Sequence, residues 1–158
     1  QKNDLAFLNQ NDIKTTDKIK RNQSNDYNKK VAIYSNSKIV KALQNEILNF
    51  SIKNSAVFDE TEKTNYRVVF NKNKGKAIVT YNTHGYILTS KETYKNVKIP
   101  LNLRVKILKS YPSYAFKSTE YSIVYNKNKK NKKCFKVKIT NGTYDKTLKF
   151  DGSFNRIN

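Results

Sequence analysis

A chain of 158 residues is long enough for one domain or two very small ones, and for a core hiding roughly 70% of the surface its unfolded form exposes. Its hydrophobic share is only 37%, and 32 lysines and arginines against 12 acidic residues give a formal net charge of +20. The single cysteine, Cys134, excludes an intramolecular disulfide, and no apolar run approaches the roughly 18 residues of a membrane-spanning helix.

Such a charge puts nucleic acid and anionic surfaces among the possible partners. Only Arg21, Arg67, Arg104 and Arg156 are arginine, the residue suited to bidentate recognition of phosphate and guanine. Asparagine is enriched beside lysine in runs such as NKNKGK and NKNKKNKKC, a pairing that AT-rich coding places on permissive surfaces. Charge alone therefore selects no ligand. The chain starts at Gln1 and contains no methionine, as expected if a signal peptide has been removed.

Residues 1–30 carry Leu5, Phe7, Leu8 and Ile13 among polar residues with no sustained period, and read as a flexible polar lead on which Phe7 and Leu8 could dock locally. Residues 31–158 read as one domain. After the short apolar run Val31 to Tyr34, Ser35 or Ser37 suits an N-cap, and Ile39, Val40, Leu43, Ile47 and Phe50 mark one face of a helix over about 38–50. Ile52 to Ser55 reads as a turn and Ala56 to Phe58 as the start of a strand. Asp59, Glu60 and Glu62 read as a solvated loop, since no histidine or further carboxylate completes a metal set. Tyr66 to Phe70 is a strand, NKNKG a hairpin loop with Gly75 able to take positive φ, and Ala77, Val79 and Tyr81 alternate along the next strand. The turn Asn82 to Gly85 leads into a strand over Tyr86 to Thr89.

Pro100 opens a second helix, which Pro112 closes at Tyr111. Leu101, Val105 and Leu108 form its apolar stripe, widened by Leu103 and Ile107, and Leu108 is expected to pack on Val137 and Ile139. Phe116, Tyr121, Ile123 and Tyr125 define the next strand, Asn126 to Lys133 a loop, and Phe135, Val137 and Ile139 the cleanest half-buried strand. Asn141-Gly142 signals a type I′ hairpin into Tyr144, Leu148 and Phe150, and Asp151-Gly152 begins the last turn. Helix, strand, lysine-rich turn, strand, turn, strand thus occurs twice, over about 38–90 and 101–157. The expected fold class is α+β, two tandem repeats of helix plus antiparallel β-meander forming one body.

No residue set spells out a reaction. His84, the only histidine, lies in a turn without partners at metal-ligand spacing, and Cys134 lies beside Lys132 and Lys133, whose ammonium groups favour a lower thiol pKa, but has nothing to orient it as a nucleophile. There is no G-x-S-x-G elbow and no phosphate-binding glycine loop, so neither enzyme activity, cofactor nor metal is expected. Tyr66, Tyr81, Tyr121, Tyr125 and Phe135 fall at inward strand positions and read as core. Two binding functions follow: a module engaging another protein through a sheet face or loops, or a binder of a polyanion, nucleic acid or anionic polysaccharide, using Lys72, Lys74, Lys76, Lys127, Lys129, Lys130, Lys132 and Lys133, two clusters that each follow the first strand of a repeat and are expected at related edges.

The succession YRVVF, KAIVTYNTHGYILTSKE, KIPLNLRVKILKSYPSYAFKSTEYSIVY, CFKVKI and LKFDGSF resembles the PepSY-like, β-lactamase-inhibitor-like proteins secreted by Gram-negative bacteria. Tyr81, Asn82 and Gly85 end one unit, Ile99-Pro100 leads the second helix and Tyr111-Pro112 ends it, so the resemblance covers about 38–157. It implies tandem helix-plus-sheet repeats and export to the periplasm or outside, and little chemistry, the inhibitor-like comparison being one of fold.

Overall fold

A computed structural model describes residues 5–9, 24–31 and 37–158 of the chain. Eight strands form one sheet in chain order: β1 (Leu5–Asn9), β2 (Asn65–Lys72), β3 (Gly75–Tyr81), β4 (Ile87–Lys95), β5 (Ala115–Asn126), β6 (Lys132–Thr140), β7 (Asp145–Asp151) and β8 (Arg156–Ile157). β1 pairs with β2 in parallel, and β2 to β8 form an antiparallel meander. Three α-helices are described, α1 (Ser24–Val31), α2 (Lys38–Asn49) and α3 (Leu101–Ser110), with one 3-10 turn at Ile52–Asn54, and the fold is α+β as expected. None of them is long and apolar enough to cross a membrane.

Alternation along the strands explains the layering. One face carries Tyr66, Val68, Phe70, Val79, Tyr81, Tyr94, Tyr121, Ile123, Tyr125, Phe135, Val137, Leu148 and Phe150, all buried, and adjacent strands hold them in register, as in the row Tyr94, Tyr121, Phe135, Phe150. All three helices cover this face. α2 buries Val40, Leu43 and Ile47, and its Ile47 carbonyl accepts a hydrogen bond from Tyr81 Oη at 2.9 Å. α1 contributes Tyr27 and Val31, and α3 contributes Leu103 and Ile107, to one continuous core.

Several expectations need correction. The stretch read as a flexible lead contains β1 and α1, so the boundary at residue 31 cuts the end of a helix. Tyr27 and Val31 are one turn apart, too short a pattern to show a period, yet they are 1% exposed. Ile13, Arg21, Ala32, Ile33, Tyr34 and Ser35 lie outside the described residues. Ser37 occupies the N-cap of α2, without a side-chain capping bond. Ala56 to Phe58 is a turn rather than a strand, with the Phe58 amide donating to the Ser55 carbonyl at 3.1 Å. β4 continues to Lys95, past its expected end; its inward positions Ser90 and Glu92 interrupt the apolar alternation and conceal the continuation.

α3 forms where expected but turned the other way. Leu103 and Ile107 are buried, while Leu101 is 71%, Val105 41% and Leu108 38% exposed. The two apolar stripes lie on roughly opposite sides of the helix, and flanking contacts choose between them. Lys106 Nζ donates to the Phe154 carbonyl at 2.7 Å, Arg104 stands over the Phe116 ring, and Ile99 is buried just before the helix begins.

Two turns also differ. In the β2–β3 hairpin the left-handed residue is Asn73 (φ 53), not Gly75; glycine stands at 75 because a Cβ there would lie 3.0 Å from both Leu43 Cδ2 and Tyr94 Cδ1. In the β6–β7 hairpin Gly142 is left-handed (φ 92) but Asn141 is not, so the turn is not type I′. Asn141 Oδ1 instead accepts from the amides of Thr143 and Tyr144, in a loop between the paired residues Thr140 and Asp145 that leaves Tyr144 exposed outside β7.

These positions separate by stability. Leu43→Ala should cost about 2 to 5 kcal/mol, as cavity-forming core truncations do, and Leu108→Ala less than about 1 kcal/mol. Urea unfolding of the two variants measures both, and equal losses would contradict the observed orientation of α3.

Candidate anion-binding surfaces

Beneath α1 lies a buried carboxylate. Glu92, on the inward face of β4, is 0% exposed and accepts four hydrogen bonds: from Tyr27 Oη (2.6 Å) and Ser90 Oγ (2.7 Å) at Oε1, and from Tyr94 Oη (2.5 Å) and Gln44 Nε2 (3.1 Å) at Oε2. Four donors fill the acceptor positions of a carboxylate, so the group is a structural node rather than a reactive one. Burial first, and then the Glu92 charge, push the hydroxyls of Tyr27, Tyr81 and Tyr94 well above the ordinary tyrosine range. Glu92 lies beyond the strand expected over Tyr86 to Thr89. The signal was the SxExY spacing, which puts Ser90, Glu92 and Tyr94 on one strand face.

The opposite sheet face carries no helix among the described residues. Its rows run across the strands as Val69, Ile78, Lys91, Val124, Lys132 and as Lys95, Glu120, Lys136, Lys149. Val124 is 43% exposed, and Lys76, Lys91, Lys95, Lys136 and Lys149 are exposed too. Asp145 is drawn into pairs with Lys117 (2.7 Å) and Lys138 (3.1 Å), which hold its carboxyl well below the usual range. Outward strand positions of β2 to β7 hold no aromatic side chain. The five aromatics expected in the core are all there.

The eight candidate lysines are not brought to related edges. β5 runs opposite to β2, so the β2–β3 and β5–β6 hairpins leave from opposite ends of the sheet. At the first end, Lys72 Nζ pairs with Glu46 at 3.1 Å, Lys74 sits in the tight turn and Lys76 joins the open face. At the other, Lys127 Nζ stands 5.7 Å from the Tyr86 ring centroid, and Lys129 projects from the hairpin. Lys130 and Lys133 do converge. They line a cleft of about 820 Å³ with Lys29 and Lys30 of α1, bordered by Asp151, Gly152, Ser153 and Ile157 of the β7–β8 segment; Lys132 borders it from β6 but belongs to the outer-face row. Gly152 packs against the Lys133 stem, where an added Cβ would lie 3.2 Å from Lys133 Cβ. Partial burial lowers the Lys133 pKa, and the Glu92 charge offsets part of that. Lys29 and Lys30 were missed because they sit in the supposed lead.

The remaining candidates are structural. The His84 amide donates to Asn82 Oδ1 at 3.1 Å and its ring stacks on Tyr86. Cys134 lies inside β6, and burial pushes its thiol up, overturning the lowered pKa that its lysine neighbours suggested. Asp59 Oδ1 accepts from the Thr61 amide and hydroxyl, and no group of metal-ligating side chains exists among the described residues.

The carboxylate node is testable in two ways. Glu92→Gln replaces an acceptor oxygen by a donor that must face two other donors, and should destabilise by about 2 to 4 kcal/mol in urea melts, against about 1 kcal/mol for Tyr27→Phe. The buried tyrosines give a pH dependence: their folded pKa values are raised, so above about pH 10 the unfolded chain releases protons that the folded chain keeps. Stability is therefore full below that pH and should fall above it, with tyrosinate absorbance rising in step with unfolding. Titration of all the tyrosines before unfolding would contradict this.

No protein-family model, no curated protein and no solved structure matches the chain, so its chemistry has to be argued from its own surfaces.

Proposed function

We propose that the chain is a secreted or periplasmic, non-enzymatic binding module of the PepSY-like, β-lactamase-inhibitor-like kind, and that it engages an acidic protein through its open sheet face. The observation that carries this reading is the composition of that face: Val69, Ile78 and Val124 share one cross-strand row with Lys91 and Lys132, and Lys76 lies on the same face. Apolar side chains interspersed with ammonium groups offer a protein partner area to bury, and the ammonium groups favour a partner of opposite sign. Two further facts favour a protein over a nucleic acid. With every strand aromatic of β2 to β7 turned inward, the face has no platform on which bases could stack. The lysine hairpins stand at opposite ends and make no continuous track for a polymer backbone.

The tandem-repeat relation belongs to the same proposal. It is supported by the succession α2, β2, β3, β4 followed by α3, β5, β6, β7, with both helices on one face. The shallow seat of α3, which buries only Leu103 and Ile107, is a departure from strict repetition.

A photo-crosslinking residue placed at position 78, used in envelope extract with position 57 as the control, tests the face. One acidic protein should be captured from position 78 only, and K76E/K91E/K136E should weaken its affinity by about tenfold or more. Equal capture at both positions, or turnover of a defined substrate by the pure protein, would overturn the reading.

A further inference from the structure

We propose that the cleft between α1, β6 and the β7–β8 turn is a binding site for a compact molecule carrying several phosphate groups. The site lies at the end of the sheet and does not rest on the reading of the open face. Its volume of about 820 Å³ falls in the range of small-molecule sites, roughly 300 to 1,000 Å³. Lysines outnumber carboxylates in its lining by five to one; Lys132 belongs to the outer-face row, and the other four come from α1, the β5–β6 loop and β6, so their charges border a volume instead of lying along a line.

The single carboxylate is already committed. Asp151 Oδ1 accepts from the amides of Ser153 (2.8 Å) and Asn155 (2.9 Å), and Oδ2 from Asn155 Nδ2 (3.3 Å). Lys30 is likewise tied, to Asp26 at 3.1 Å and to the Lys127 carbonyl at 3.2 Å, and serves to fix α1 against the hairpin. Lys29, Lys130 and Lys132 form no ion pair with a described residue. α1 presents its C-terminal end here, so the attraction comes from ammonium groups and not from a helix dipole; the Lys30 carbonyl is met by Asn131 Nδ2 at 3.4 Å.

The lining selects the ligand class. It contains no aromatic residue to hold a base and no arginine to grip one carboxylate in a fork. Lysine acts as a point charge with rotatable donors, which suits oxygens presented in several directions, and phosphate groups supply the most charge in so small a space.

Calorimetric titration of the full chain with sodium tripolyphosphate tests the site, with citrate and a duplex DNA as comparison ligands. Saturable one-site binding is expected, weakened by about tenfold or more in K29A/K133M, where the methionine keeps the stem packed on Gly152, and unchanged in K74A/K76A at the far end of the sheet. K29A/K130A, at two exposed positions, gives the same loss if folding of the first variant is impaired. Absence of saturable binding, equal weakening by the near and far pairs, or citrate or DNA binding as tightly as tripolyphosphate would each overturn the proposal.

Discussion

The Glu92 carboxylate is the point at which the fold is tied together. Its four donors come from α1, α2 and β4, so one side chain fixes two helices to the middle of the sheet. In a low-dielectric interior such a group is costly unless every acceptor position is filled, and a filled network admits few alternative packings. This accounts for the choice of tyrosine over phenylalanine in much of the core. Tyr27 and Tyr94 are needed for their hydroxyls, Tyr81 uses its own on the Ile47 carbonyl, and Tyr125 donates to Asp26 at 2.7 Å. The chain has eleven tyrosines and no tryptophan. Here the tyrosines fill volume with their rings and settle polar groups with their tips.

The two sheet faces are chemically opposite. Inside, aromatic rings stack along the rows, as Tyr121 does on Phe135 at 4.5 Å between centroids. Outside, Lys136 stands directly across from Lys149, a like-charge pairing that costs stability in an isolated sheet. Glu120 beside Lys136 and Asp145 between Lys117 and Lys138 offset part of that repulsion, yet cations remain in excess. A surface of this kind is lowered in energy by any anionic group brought to it.

Much of the architecture was legible because period-2 and helical patterns are direct consequences of burial. Val40, Leu43 and Ile47 announced α2, and Phe135, Val137 and Ile139 announced β6, since each presents one apolar face to one core. What was hidden depended on partners distant in the chain. α3 carries two apolar stripes, and which one is buried goes with contacts to other elements, Arg104 over Phe116 and Lys106 on the Phe154 carbonyl among them. Gly75 owes its identity to Leu43 and Tyr94, not to its own φ. Glu92 looks like a solvent residue until Tyr27 and Gln44 are seen above it, and the cleft lysines could not be assembled while α1 was read as a lead. Of the eight lysines marked in sequence, Lys130 and Lys133 meet in that cleft, and the antiparallel course of β5 relative to β2 puts Lys72, Lys74 and Lys76 at the other end of the sheet.

The meander joins neighbours in the chain, so most of its ladders close short loops. α1 is attached differently: its bonds to Glu92, Lys127, Tyr125 and Asn131 span 65, 97, 99 and 101 residues. Long closures of this kind carry more loop entropy and are made late in folding. An eight-residue helix has little stability of its own. The amides of α1 are therefore expected to exchange before those of the central strands, and each opening of the helix withdraws the Tyr27 hydroxyl from a carboxylate that the rest of the fold keeps dry.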